Sequence, residues 1–224
     1  MRLLLHAITS PETVADAHTG LRGQALVRVD DSGLIAWATV LDDTGGPFSR
    51  RDLLEHHEII SRLHAQVEAC LPARFPTWLA DKTLGERRDE LLSALERVRG
   101  RCEVAVTAVW TAPEEESAPA GDSPPGVSFL RARQRYFAGS DRRRERAGEL
   151  AAEIERSVAS GLVEVRARLC PSALVGLSMA LLVPRAEAAD AIARVPCAQR
   201  DVRILVNGPW PPYTFAGVGE VTEL

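Results

Sequence analysis

Four segments in the second half of the chain constrain its fold most, because they come in two kinds. Cys102 to Trp110 and Leu174 to Val183 are almost unbroken apolar runs, the pattern of strands covered on both faces. Val163 to Leu169 and Asp201 to Val206 alternate apolar and polar residues, the pattern of half-exposed strands. Helical periodicity fills the gaps, from about Ser128 to Ala159 and from Arg185 to Val195. The resulting order, β-α-β-β-α-β, is that of a ferredoxin-like unit. In that topology the first and third strands are central and the second and fourth lie at the edges. The two continuous runs and the two alternating ones fall in those places.

The first hundred residues read as a second α/β subdomain. Met1 to Ile8 reads as a strand, being too short for a signal-peptide core. Ala25 to Val29 and Leu34 to Val40 flank Asp30-Asp31-Ser32-Gly33, a hairpin turn. Ser49 and Asp52 have capping-box spacing and open a helix expected to run from Arg50 to about Cys70, with Leu53, Ile60, Leu63, Val67 and Leu71 on its apolar face. Thr83 and Glu86 predict a second helix, buried through Leu84, Leu91, Leu92, Leu95 and Val98 and ended by Gly100. The expectation is an α+β fold: an N-terminal domain over 1–100, a ferredoxin-like domain over 101–210 and a proline-aromatic tail over 211–224.

Two stretches resist this pattern. Pro113 to Pro125 is acidic and proline-rich, so it reads as a loop. In the long helix, Ala147, Leu150, Ala151, Ile154 and Val158 form one stripe and Leu130 with Phe137 another, but Ser140, Asp141 and Arg144 interrupt them. Either the helix breaks there or it runs past the sheet into solvent. The charged run Asp141 to Arg146 then reads as a solvated face or as a basic knob touching a partner.

Several function classes are disfavoured. The net charge of −4 over 224 residues argues against nucleic acid as a partner. No apolar run approaches the roughly 20 residues that span a bilayer, so no membrane association is expected. Cys70, Cys102, Cys170 and Cys197 are scattered, with no C-x-x-C, and read as buried small residues in a reducing cytoplasm.

Motifs for chemistry are missing: no phosphate loop, dinucleotide fingerprint, nucleophile elbow or H-E-x-x-H occurs, and Lys82 lies in no phosphate-loop context. On the first helix His56 falls within the apolar stripe, while His57 and His64 sit on its edge. Those two are two turns apart, about 10.5 Å along the axis, too far for one ion to bridge. His18 is the remaining histidine outside the first strand, and Glu55, Glu58, Asp30, Asp31, Asp42 and Asp43 are more simply solvated or turn-forming carboxylates. The chain is therefore expected to be no enzyme and to hold no metal or cofactor.

Asn207-Gly208-Pro209-Trp210-Pro211-Pro212-Tyr213-Thr214-Phe215 closes the chain with three prolines around a Trp and a Tyr. Proline lacks an N–H and fixes φ, so the run is expected to be stiff and extended, unable to continue a sheet or a helix. Its aromatics suit either the packing of a chain end or a contact surface. The run resembles the closing G-P-W-P-P-Y-S-F signature of the gas vesicle protein family GvpF/GvpL. Leu53 to Ile60 looks like that family's histidine-bearing helix. Leu71-Pro72-Ala73-Arg74-Phe75-Pro76-Thr77-Trp78-Leu79 is similar to its L-P-x-R-F-G-T-x-F, with Pro76 and Leu79 departing from the Gly and Phe. Leu95 to Val104 resembles its L-x-x-x-x-G-R-x-E-x, and Leu181-Leu182-Val183-Pro184 its strand ending in V-P. The opening lacks the family's aromatic-rich first strand.

The resemblance implies a non-enzymatic accessory or minor structural protein of gas vesicle assembly, cytoplasmic and vesicle-associated. It implies as partners the small hydrophobic shell protein GvpA and other accessory gas vesicle proteins. Candidate contact residues are Arg74, Phe75, Trp78, Trp210 and Tyr213. The alternative reading is a ferredoxin-like regulatory module that binds a small ligand between its subdomains.

Overall fold

A computed structural model of the chain describes residues 2–11, 19–42, 46–79, 83–111, 125–170, 174–196, 198–199 and 201–217. Residues 113–124 of the acidic proline-rich stretch, His18, Asp43, Lys82, Pro171, Ser172 and Cys197 lie outside them, as do the side chains of Thr83, Leu130 and Phe137. The chain divides into two compact units, 1–103 with 209–224, and 104–208. The tail is thus counted with the N-terminal unit.

The first unit is built on a four-stranded sheet of order β2-β3-β1-β4, with strands β1 (Arg2–Thr9), β2 (Leu26–Asp31), β3 (Leu34–Leu41) and β4 (Cys70–Pro72). Ser32 and Gly33, both at positive φ, make the two-residue turn between β2 and β3, as a hairpin that follows the right-handed strand twist requires. Helix α1 (Arg50–Gln66) lies against β1, and Leu4, Ala7, Ile35, Trp37, Ile59 and Leu63 close the core between them. The helix stops at Gln66 rather than near Cys70. Cys70, Leu71 and Pro72 instead pair with Thr9, Ile8 and Ala7 of β1, so a long-range ladder overrides local helical periodicity. The second expected helix is divided: α2 (Thr83–Glu86) ends at Arg87, whose φ of −110° and ψ of 15° leave the helical region, and α3 (Arg88–Val98) follows.

The second sheet has the order β6-β7-β5-β9-β8. Its strands are β5 (Arg101–Trp110), β6 (Glu164–Leu169), β7 (Val175–Pro184), β8 (Ala198–Gln199) and β9 (Val202–Trp210), with helices α4 (Pro125–Val158) and α5 (Ala188–Arg194) in the crossovers. The apolar β5 and β7 are central and the alternating β6 is an edge, as the burial pattern requires. The fourth strand differs, because two-residue β8 pairs with its start through Arg203 and Val202. Helix α4 is continuous, so the charged run does not break it. Asp141, Arg142, Arg144 and Glu145 are exposed, while Ala147, Leu150, Ile154 and Val158 are buried. Burial of each large aliphatic side chain there stabilises by about 1.5–3 kcal/mol.

The closing run also departs from expectation at its start. Asn207, Gly208, Pro209 and Trp210 extend β9. β8 reaches only Val202 and Arg203, so this end of β9 lacks a β8 partner, and an edge tolerates a proline without its N–H. Beyond Trp210 the chain turns tightly, with the Tyr213 and Phe215 amides donating to the Pro211 and Pro212 carbonyls.

Candidate functional site

The first unit carries an open cavity of about 610 Å³, within the roughly 300–1,000 Å³ typical of binding pockets. Leu53, Leu54, His56 and His57 of α1 form one wall, Ala73, Arg74 and Phe75 a second, and Trp210 and Tyr213 a third. The lining is overwhelmingly apolar.

Helix α1 is set by its N-terminus. Ser49 and Asp52 form a reciprocal capping box, and Asp52 also takes the Arg22 guanidinium at 2.7 and 3.1 Å. That ion pair, helped by Ser49, holds the Asp52 carboxyl well below the usual carboxylate range. With Asp52 buried, the inward face becomes Asp52, His56, Ile59, Ile60, Leu63 and His64. Leu53 and Leu54 are turned outward, 48% and 53% exposed, so Leu53 does not belong to the core stripe.

His56 stays inside because it ends a hydrogen-bonded chain. Its Nε2 lies 3.1 Å from the Ala73 carbonyl, which only accepts, so Nε2 carries the proton. The Nδ1 of a neutral His56 then accepts from His6 Nδ1–H at 2.8 Å. His6 Nε2, 2.7 Å from Thr39 Oγ1, accepts the hydroxyl proton. Thr39 Oγ1 accepts the Leu21 amide at 3.0 Å. The tautomers are assigned from this sequence of partners. Burial lowers the His6 pKa to about 3, and its neighbours His56 and Arg62 push it the same way by disfavouring a second positive charge. Burial lowers His56 to about 4 against the opposing bond to Ala73. A β-bulge between Leu5 and Ala7 places His6 in this chain. Gly20 permits it as well, since a Cβ there would stand 2.2 Å from Thr39 Oγ1.

The third wall comes from the tail. Glu103, buried at the start of β5, accepts the Thr214 amide at 2.7 Å and its hydroxyl at 2.8 Å. Phe215 is fully buried beside it in sequence. Tyr213 is thereby held with its hydroxyl 2.8 Å from His57 Nδ1, and burial raises its pKa above the ordinary phenol value. The Trp210 ring meets His57 edge-on, centroids 5.2 Å apart.

Of the five residues singled out in the sequence, Arg74, Phe75, Trp210 and Tyr213 line this one cavity. Trp78 does not. It packs on the core near Phe48, with the Arg2 guanidinium 4.0 Å above its ring. His57 and His64 go separate ways, His57 to Tyr213 and His64 to the Arg101 carbonyl at 3.0 Å. Leu53, Leu54, His56, His57 and Ala73 are the wall residues that the sequence did not mark as contacts. One signal was available: His6 is a lone polar residue inside Leu3-Leu4-Leu5-His6-Ala7-Ile8, and such a residue needs a buried partner. Trp110 is half-buried at the end of β5, and Cys70 and Cys102 are buried while Cys170 is only partly so. Among the described residues no helix is long and apolar enough to cross a membrane.

Fold and cavity together define an α+β protein of two sheets with an open, largely apolar cavity in its first unit. Its structure superposes on that of the gas vesicle protein GvpF from Anabaena sp. PCC7120 with a TM-score of 0.77, over 98% of this chain and 99% of that one, at 18% identity. For GvpF from Microcystis aeruginosa the TM-score is 0.73, over 96% and 98%, also at 18% identity. Gas vesicle protein L of Streptomyces sp. (strain CB03234) is 32% identical over 185 residues, covering 74% of this chain and 68% of that protein. The sequence model of the gas vesicle synthesis protein GvpL/GvpF family matches residues 3–217. The chain belongs to that family, and its role is a gas vesicle one.

Proposed function

We propose that this chain is a binding protein of gas vesicle assembly. It shields or nucleates the hydrophobic shell protein GvpA, whose apolar surface would otherwise aggregate, and works alongside other accessory gas vesicle proteins in the cytoplasm and at the vesicle. The observation that carries this reading is the cavity, with Leu53, Leu54 and Trp210 exposed around it. Apolar side chains gathered on a surface mark a docking site more often than chance exposure. The reading is of a binder rather than an enzyme. The two imidazoles in the wall are engaged within the protein, His56 with His6 and Ala73, and His57 with Tyr213.

Co-expression with GvpA followed by affinity capture tests it. Capture is expected from the wild type and is expected to fall strongly for Leu54→Asp and for the pair Trp210→Ala and Tyr213→Ala. Equal recovery with all variants removes the cavity from this role. A small ligand in the cavity would instead raise the melting temperature in a metabolite panel and leave GvpA capture unchanged by these substitutions.

A further inference from the structure

We infer that Arg74 selects the occupant of this cavity: a segment of the shell protein that sets an Asp or Glu carboxylate beside its apolar side chains. This rests on the binding reading above and goes further by naming the chemistry recognised. Arg74 is exposed, and among the described residues its guanidinium has no hydrogen bond or ion pair. Several other arginines of the same unit are committed. Arg22 holds Asp52, Arg87 holds Glu90, Arg88 donates to the Ser32 carbonyl and Arg2 stacks on Trp78.

The backbone presents this free cation rigidly. On one side the Ala73 amide donates to the His6 carbonyl at 2.8 Å, and Ala73 is fully buried. On the other, the Phe75 ring packs against Phe48 and His56, with centroids 4.7 and 5.0 Å away. The Arg74 carbonyl accepts the Thr77 hydroxyl at 2.6 Å. The rest of the wall offers no competing partner: Leu53, Leu54 and Trp210 are apolar, and the Tyr213 hydroxyl is on His57.

A purely apolar partner closing over the cavity would strip water from the guanidinium and return nothing. That penalty acts against such partners. A carboxylate meets the planar fork with two parallel hydrogen bonds and offsets the loss. The leucines and Trp210 then supply affinity, and Arg74 supplies register and choice.

The test measures binding of the shell protein to the full chain carrying Arg74→Glu, Arg74→Lys or Leu54→Asp, at low and high salt, with melting curves confirming that each variant folds. Arg74→Glu is expected to weaken binding at least about tenfold and Arg74→Lys less, with the wild-type advantage shrinking at high salt. Changing single shell-protein carboxylates to Lys is expected to find one position that restores binding to Arg74→Glu. Wild-type binding by Arg74→Glu, with Leu54→Asp still defective, overturns the role of Arg74 and leaves the docking cavity standing. Wild-type binding by all three variants overturns both.

Discussion

The two units differ in what they bury. In the second, the described core is aliphatic: Leu150, Ile154, Val158, Leu177, Leu181 and Leu182 are fully shielded and need only fill space. In the first, His6, Thr9, Thr39, Asp52, His56, His64 and Glu103 are buried among the apolar side chains. A polar group inside a protein must find a specific partner or cost about 1–3 kcal/mol. The first unit is therefore organised by directional bonds and the second by volume. The cavity lies where directional bonds converge, with His56, Ala73 and Tyr213 each belonging both to a hydrogen-bonded chain and to the wall.

Substitutions of nearly the same shape break this comparison most directly. Thr39→Val keeps the bulk but removes the hydroxyl that joins Leu21 to His6. With both groups left unpaired, a loss of about 3 kcal/mol is expected in denaturant unfolding. A loss under about 1 kcal/mol would mean that the chain of bonds is not what organises the unit.

Acid probes the same chain without mutation. His6 and His56 have an ordinary value of 6.5 and folded values of about 3 and about 4. Between those limits the unfolded state binds more protons than the folded one, so stability rises with pH and is lost as pH falls below about 6.5. The slope is at most about 1.4 kcal/mol per pH unit for each histidine. Melting temperature is expected to drop from pH 7 to pH 5, before most carboxylates titrate, and His6→Leu with His56→Leu to flatten that drop. Hydrogen exchange in β1 is expected to respond more than in β7.

Glu103→Gln tests the tail wall. It keeps the shape but gives up the charge-assisted pair of bonds to Thr214, at a cost of about 1 kcal/mol. Amide exchange at Tyr213 to Phe215 is expected to quicken. An unchanged rate would show that Phe215 burial alone holds the tail. The smallest effect belongs to the second unit: Leu181→Met, conserving volume at a fully buried position, is expected to cost less than about 1.5 kcal/mol.

Much of this was legible in the sequence. Unbroken apolar runs in β5 and β7 and alternation in β6 stated which strands are covered, because side chains on a strand alternate faces. The Ser49 and Asp52 spacing announced the start of α1, and four of the five chosen contact residues came together. What failed was any judgement that turned on a distant partner. Leu53 reads as core because it lies one heptad before Ile60, yet the helix is rotated to bury Asp52 beside His56, which the stripe already held. Those two are worth burying only because Arg22 and His6 arrive from elsewhere. The end of α1 was misplaced for the same reason, since Cys70, Leu71 and Pro72 are claimed by β1.

By itself the sequence determined the family, the order and kind of the strands, the hairpin turn and the cap of α1. These follow from local periodicity and local backbone chemistry, which need no neighbour. The tertiary structure decided which polar groups meet: His6 with His56 across 50 residues, and Glu103 with Thr214 across 111. Hydrogen bonds of that separation exist only once the sheet is assembled. The cavity, Arg74 at its mouth and the tail as its third wall exist only then too.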